Sequence, residues 1–148
     1  MATTRTANAH WEGSLTEGKG RVSLDSSGIG TYDVSWPARS EEPNGVTSPE
    51  ELIAAAHSTC FSMSLSNELT KAGHTVETID TKADVTFQPG KGITGIVLTT
   101  RASVPKISAE EFAVFAEGAK NNCPVSAALT GTTITLDAAL ARSAPGHL

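Results

Sequence analysis

The sequence predicts a single-domain α+β fold. Three features carry that reading: a long, sharply delimited helix over 49–72, two alternating runs after it, and several short strand-like runs before it. Strands, a long helix, strands, helices and a last strand come in blocks, not in the strict alternation of a doubly wound fold. A chain of 148 residues has room for one such core but not for two.

Residues 8–36 read as a three-strand meander. ANAHWEGSLT runs to the turn EGKG, RVSLD to SSGIG, and TYDVSW to Pro37. Glycine and serine at the joins supply the conformations that hairpin turns need. SEEPNGVT is a loop by composition. Ser48 then caps the long helix, Pro49 suits its first position, and Glu51 stands where a capping box needs a carboxylate. Gly73 ends it after Lys71, whose charge suits the negative end of the dipole. About 24 residues make a helix of about 36 Å. Between Leu52 and Leu65 its polar side chains are mostly small, so it is expected to be covered on nearly all sides, in part by the same helix of a second subunit.

TVETIDTKADVTF and GITGIVLTTRASV alternate as two long strands around QPGKG. Ser108 and Glu111 form a second capping box, opening a helix to about Lys120. PVSAAL is a short helix with Pro124 at its first position, TTITLDAAL a last strand, and ARSAPGHL a tail. There is no internal repeat and no low-complexity segment.

The bulk numbers exclude several classes. A composition 39% hydrophobic and 18% charged is that of a soluble globule. A net charge of −5 argues against nucleic acid or an anionic membrane as partner. No apolar run is long enough to span a bilayer, and MATTRTANAHWEGSL has no signal-peptide core. The chain is therefore expected in the cytoplasm, where a disulfide between its two cysteines would be a working bond rather than a staple.

Those cysteines, Cys60 and Cys123, pose the functional question. A free cysteine in an apolar helix is by default a small core hydrophobe. Cys123 lies at the expected N-cap before Pro124, where helix-start amides would lower its pKa. Cys60 lies mid-helix, beyond the reach of its own helix terminus. Local physics thus ranks Cys123 as the more acidic thiol, and Cys60 would need a cation beside it to ionise.

The segments SPEELIAAAHSTCFSMSLS and NNCPVSAAL, in that order, with HWEG near the start and TTITLDAAL at the end, resemble the osmotically inducible protein C / organic hydroperoxide resistance (OsmC/Ohr) family from about His10 to Leu140. The resemblance implies antiparallel sheets wrapped around a long central helix in an intertwined homodimer with active sites at the subunit interface. It implies a thiol peroxidase in which Cys60 attacks the peroxide, organic or hydrogen peroxide, and Cys123 resolves the sulfenic acid as a disulfide. It also implies an external thiol or dithiol reductant, of lipoyl type in the organic hydroperoxide branch. No metal, flavin or nucleotide is called for, and GKG and GIG read as hairpin punctuation.

The family pairs its reactive cysteine with an arginine held by a glutamate. The glutamate maps onto Glu50, since Glu51 is engaged by the capping box. Of Arg5, Arg21, Arg39, Arg101 and Arg142, the best match is Arg39 in SWPARSEE, as in the OsmC branch; Lys19, in the first hairpin turn, is the alternative cation. Glu51 and His57 also resemble the OsmC branch. Glu50 and Cys60 are ten positions apart, about 15 Å along one helix and about 80° around it. One guanidinium cannot bridge them within a helix, so the expected site is shared, with Glu50 of one subunit reaching Cys60 of the other.

His57 stands one turn before Cys60 and could serve a Cys-His hydrolase or a zinc site, but neither has its remaining groups at matched spacing. It reads as a packed, hydrogen-bonded side chain. Phe61 and Met63 suit an apolar substrate pocket or the core equally. Two rivals stand beside the peroxidase: a thioredoxin-like CxxS motif at Cys123–Ser126, and a non-catalytic dimeric stress or binding protein with inert thiols. The first lacks chain after Ser126 for the rest of that fold. The second predicts slow alkylation of both cysteines.

Overall fold

A computed structural model describes residues 1–141. The chain opens on the expected meander: β1 (Asn8–Glu12), β2 (Lys19–Ser23) and β3 (Thr31–Val34) pair antiparallel in sequence order. Trp36, expected to end the third strand, instead opens a helix, α1 (Trp36–Ser40). Ser35 accepts a hydrogen bond from the Ala38 amide and Pro37 supplies a helical φ, so five residues carry a cap and a first turn of their own. This small helix bears Arg39.

The long helix α2 (Pro49–Lys71) starts and stops on the residues that announce it. Ser48 Oγ accepts from the Glu51 amide at 3.2 Å, but the reciprocal half of the capping box is not made: the Glu51 carboxylate takes the Thr47 hydroxyl. At the far end Gly73 has φ +91°, the His74 amide bonds to the Leu69 carbonyl and the Gly73 amide to the Thr70 carbonyl. These two bonds are a Schellman stop, which needs a residue without a side chain at the left-handed position.

The second sheet corrects an expectation. β4 (Thr78–Gln88) and β5 (Gly92–Ser103) form the antiparallel hairpin read from the sequence, but β6 (Ile134–Leu140) pairs with β5 in parallel, Ile96 opposite Ile134 and Ala102 opposite Leu140. The sheets are therefore not all antiparallel. Parallel neighbours need a long crossover, and α3 (Ala109–Asn122) with α4 (Pro124–Ala128) provides it. The ARSAPGHL tail lies, from residue 142 on, outside the described residues.

The core fills the space between α2, α3 and this sheet. Phe61, Leu65 and Leu69, on successive turns of α2, are fully buried against Leu98, Ala102, Phe112, Ala116 and Ala119. Only one side of α2 is covered in this way. Ala55, Ala56, Thr59 and Met63 on another side are exposed, as is every residue of β1. Trp11, Leu15, Ile29 and Tyr32 of the meander region are exposed too. Phe61 thus belongs to the core and Met63 points outward. Truncation of Phe61 to alanine is expected to cost about 3–5 kcal/mol, read as a lower denaturant midpoint with an unchanged slope.

Candidate active site

α4 crosses the middle of α2 and brings the two cysteines together. Cys123 is its N-cap and wholly buried; Cys60 is half-buried on α2. Their sulfurs are 2.9 Å apart, with the Cys123 thiol donating to Cys60, across 63 positions of sequence. Both are free thiols. The backbone amide of Val125 lies close to the Cys60 sulfur. Cys123, the N-cap of α4, makes no capping bond of its own. Burial pushes the Cys60 thiol above its ordinary range, and the Cys123 side chain pushes it further, while the nearby Val125 amide pulls the other way.

The cation and carboxylate form a second pair. Arg39 grips Glu50 in a fork, with Nε to Oε1 at 3.0 Å and Nη2 to Oε2 at 2.9 Å. Glu50 is buried, and Arg39 is about one-third exposed. The bidentate geometry fixes the guanidinium plane as well as its charge. The face of Phe87 lies 4.2 Å from the guanidinium carbon, and Trp36 meets Phe87 edge-on. Phe87 follows a bulge in the β4–β5 ladder, a device that re-aims side chains. Lys19 is exposed on β2 beside Glu12, and among the described residues no hydrogen bond or ion pair ties it to Cys60. None joins the Arg39–Glu50 pair to the cysteine pair within the chain either.

His57 is packed and hydrogen-bonded, as expected. It is fully buried, and its Nε2 lies 2.7 Å from the hydroxyl of Ser126. Its Nδ1 has no partner among the described residues. Sequence reasoning missed this use of Ser126, which it met only as the end of CxxS. The available signal was that a histidine on an apolar helix face needs a polar partner from another element. Phe87 and the Val125 amide were missed for a different reason, because only tertiary packing aims them. The CxxS rival loses its context: Cys123–Ser126 opens a five-residue helix after α3, and Ser126 faces His57.

The OsmC-like protein family model matches residues 42–137, a span that includes Glu50 and both cysteines. The chain belongs to the OsmC-like family. It is 44% identical over 140 residues, 93% of this chain and 96% of the relative, to Peroxiredoxin OsmC of Escherichia coli strain K12. An organic hydroperoxide resistance protein of Elizabethkingia anophelis superposes with a TM-score of 0.65 at 26% identity, covering 95% of this chain and 100% of that one. For an organic hydroperoxide resistance protein OsmC of Legionella pneumophila the TM-score is 0.69 at 22% identity, with 93% and 99% covered. No helix among the described residues is long and apolar enough to cross a membrane.

Burial lowers the His57 pKa from its usual value. The unfolded chain then binds a proton near pH 6.5 that the folded chain refuses, so stability falls as pH drops from about 6.5 through the folded pKa. The unfolding midpoint of the parent is expected to fall more between about pH 7.5 and about pH 5 than that of His57→Gln, which lacks this group. Equal slopes would mean that His57 titrates alike in both states.

Proposed function

We propose that the protein is a two-cysteine thiol peroxidase that reduces organic hydroperoxides or hydrogen peroxide. The observation that carries this reading is the contact of two free thiols at 2.9 Å, one half-buried and one wholly buried, on separate helices. The Cys60 thiolate attacks the distal peroxide oxygen and the O–O bond breaks. The alkoxide takes a proton and leaves as alcohol, or as water from hydrogen peroxide, and Cys60 becomes a sulfenic acid. The Cys123 sulfur then displaces the hydroxyl, which departs with the thiol proton as water, leaving a Cys60–Cys123 disulfide. Two thiols of an external reductant, or one dithiol of lipoyl type, restore both cysteines and become a disulfide themselves. A reducing cytoplasm would supply that reductant.

The Arg39–Glu50 pair completes the site from the neighbouring subunit of a homodimer. Its guanidinium stabilises the Cys60 thiolate and the departing oxygen, and Glu50 orients it. Three features support the shared arrangement. Glu50 lies about 15 Å along α2 from Cys60. Burial raises the pKa of the thiol, and among the described residues of its own chain no cation is bonded to it. The bare flank of α2 and the uncovered meander also offer a second copy a large surface. A three-stranded sheet with so little covered rarely stands alone.

One equivalent of cumene hydroperoxide is expected to convert reduced protein within seconds to a Cys60–Cys123 disulfide, seen as a loss of two hydrogens by mass spectrometry. Oxidation no faster than that of a free thiol would restore the inert-thiol reading. Arg39→Ala is expected to lower kcat/KM about 100- to 1000-fold. Mixing inactive Cys60→Ser and Arg39→Ala chains should recover about a quarter of the parental rate, because half of randomly mixed dimers are hybrids with one intact site of two. No recovery, or a fully active monomer, would rule out sharing.

A further inference from the structure

We infer that His57 and Ser126 are positioning residues for disulfide closure: their hydrogen bond holds α4 against α2 while the Cys60 sulfur changes partners. The inference rests on the peroxidase reading and concerns its second chemical step. α4 is five residues long and its N-cap side chain makes no capping bond, so the helix has little means of holding itself in place. Two side-chain hydrogen bonds join it and its N-cap to α2 among the described residues. One of them, from the Cys123 thiol, ends on the Cys60 sulfur. That sulfur acquires an oxygen during turnover, so this tie does not keep its geometry through the cycle.

The other tie does not involve sulfur. His57 Nε2 and Ser126 Oγ are 2.7 Å apart, and both residues are more than nine-tenths buried. His57 precedes Cys60 by three positions on α2, and Ser126 follows Cys123 by three on α4, so the contact is a second rung, one turn from the first on each helix. With Nε2–H donating, Ser126 Oγ accepts, and Nδ1 keeps only a buried lone pair, the less costly of the two tautomers. This rung is the same before and after peroxide attack. It keeps Cys123 in reach while the S–S bond forms, the S–O bond of the sulfenic acid breaks, and the hydroxyl leaves with the Cys123 proton as water.

The test separates the two steps. Reduced parent, Ser126→Ala, His57→Leu and His57→Gln are each mixed with cumene hydroperoxide in a quenched-flow device. A sulfenic-acid-specific dione added at each quench then traps the Cys60 intermediate. Glutamine places an amide N–H near the position of Nε2 and is expected to keep the tie. Ser126→Ala should form the sulfenic acid within about twofold of the parental rate yet close the disulfide about tenfold more slowly, the expected cost of one buried hydrogen bond that aligns reacting atoms. Its longer-lived intermediate should then yield more sulfinic acid as peroxide is raised. Closure in His57→Gln should be faster than in His57→Leu. Parental closure in Ser126→Ala, or equal slowing of both steps, would overturn the inference and leave the peroxidase intact. A parent that forms neither sulfenic acid nor disulfide would instead remove the peroxidase reading, and this one with it.

Discussion

The site depends on the seam between α2 and α3. β6 joins β5 in parallel, so the chain must travel back along the sheet before it can pair. α3 makes that return journey with Phe112, Ala116 and Ala119 packed on Phe61, Leu65 and Leu69. The alanines let the helices approach closely, and the phenylalanines and leucines supply most of the buried apolar area. Where α3 ends, α4 is set down across the middle of α2, and Cys123 arrives on Cys60. A side-chain contact between residues far apart in sequence is thus fixed by apolar packing one turn away, not by anything local to either cysteine.

The polar parts are divided. One group, Arg39, Glu50, Phe87 and Trp36, is a rigid cation holder: a fork on one side of the guanidinium, an aromatic face against it, and a second ring behind that face. The other group, Cys60, Cys123, His57 and Ser126, gathers two thiols and a buried histidine–serine pair where α4 meets α2. Burial keeps Cys60 protonated and so sluggish toward oxidants when the second group stands alone. Under the proposed assembly the first group arrives from the partner, and reactivity belongs to the pair of chains.

What could be read from the sequence follows the range of the forces involved. Both ends of α2 were legible because caps and stops are made within a few residues, and the β4–β5 hairpin because its alternation is local. α1 was not, since five residues carry no periodicity and Trp36 and Tyr32 look alike to a strand pattern. The direction of β6 was not, because a strand of seven residues reads the same in parallel and antiparallel pairing. Glu50 was separable from Glu51 by counting from Ser48, although the box it was separated from is only half made. The partnership of the cysteines came from resemblance. That Cys123 leaves its own helix uncapped and reaches Cys60 instead was not legible, because only packing makes that contact.

The crossover also determines when during the life of the chain its chemistry exists. Cys60 and Cys123 are separated by 63 positions, and closing a loop of that length is entropically unfavourable until the seam and the parallel strand support it. On the ribosome, Cys60 emerges long before Cys123, and β6, which follows both, must pair before the crossover is anchored. A nascent or unfolded chain therefore carries two ordinary, distant thiols, and only the folded chain brings their sulfurs into contact.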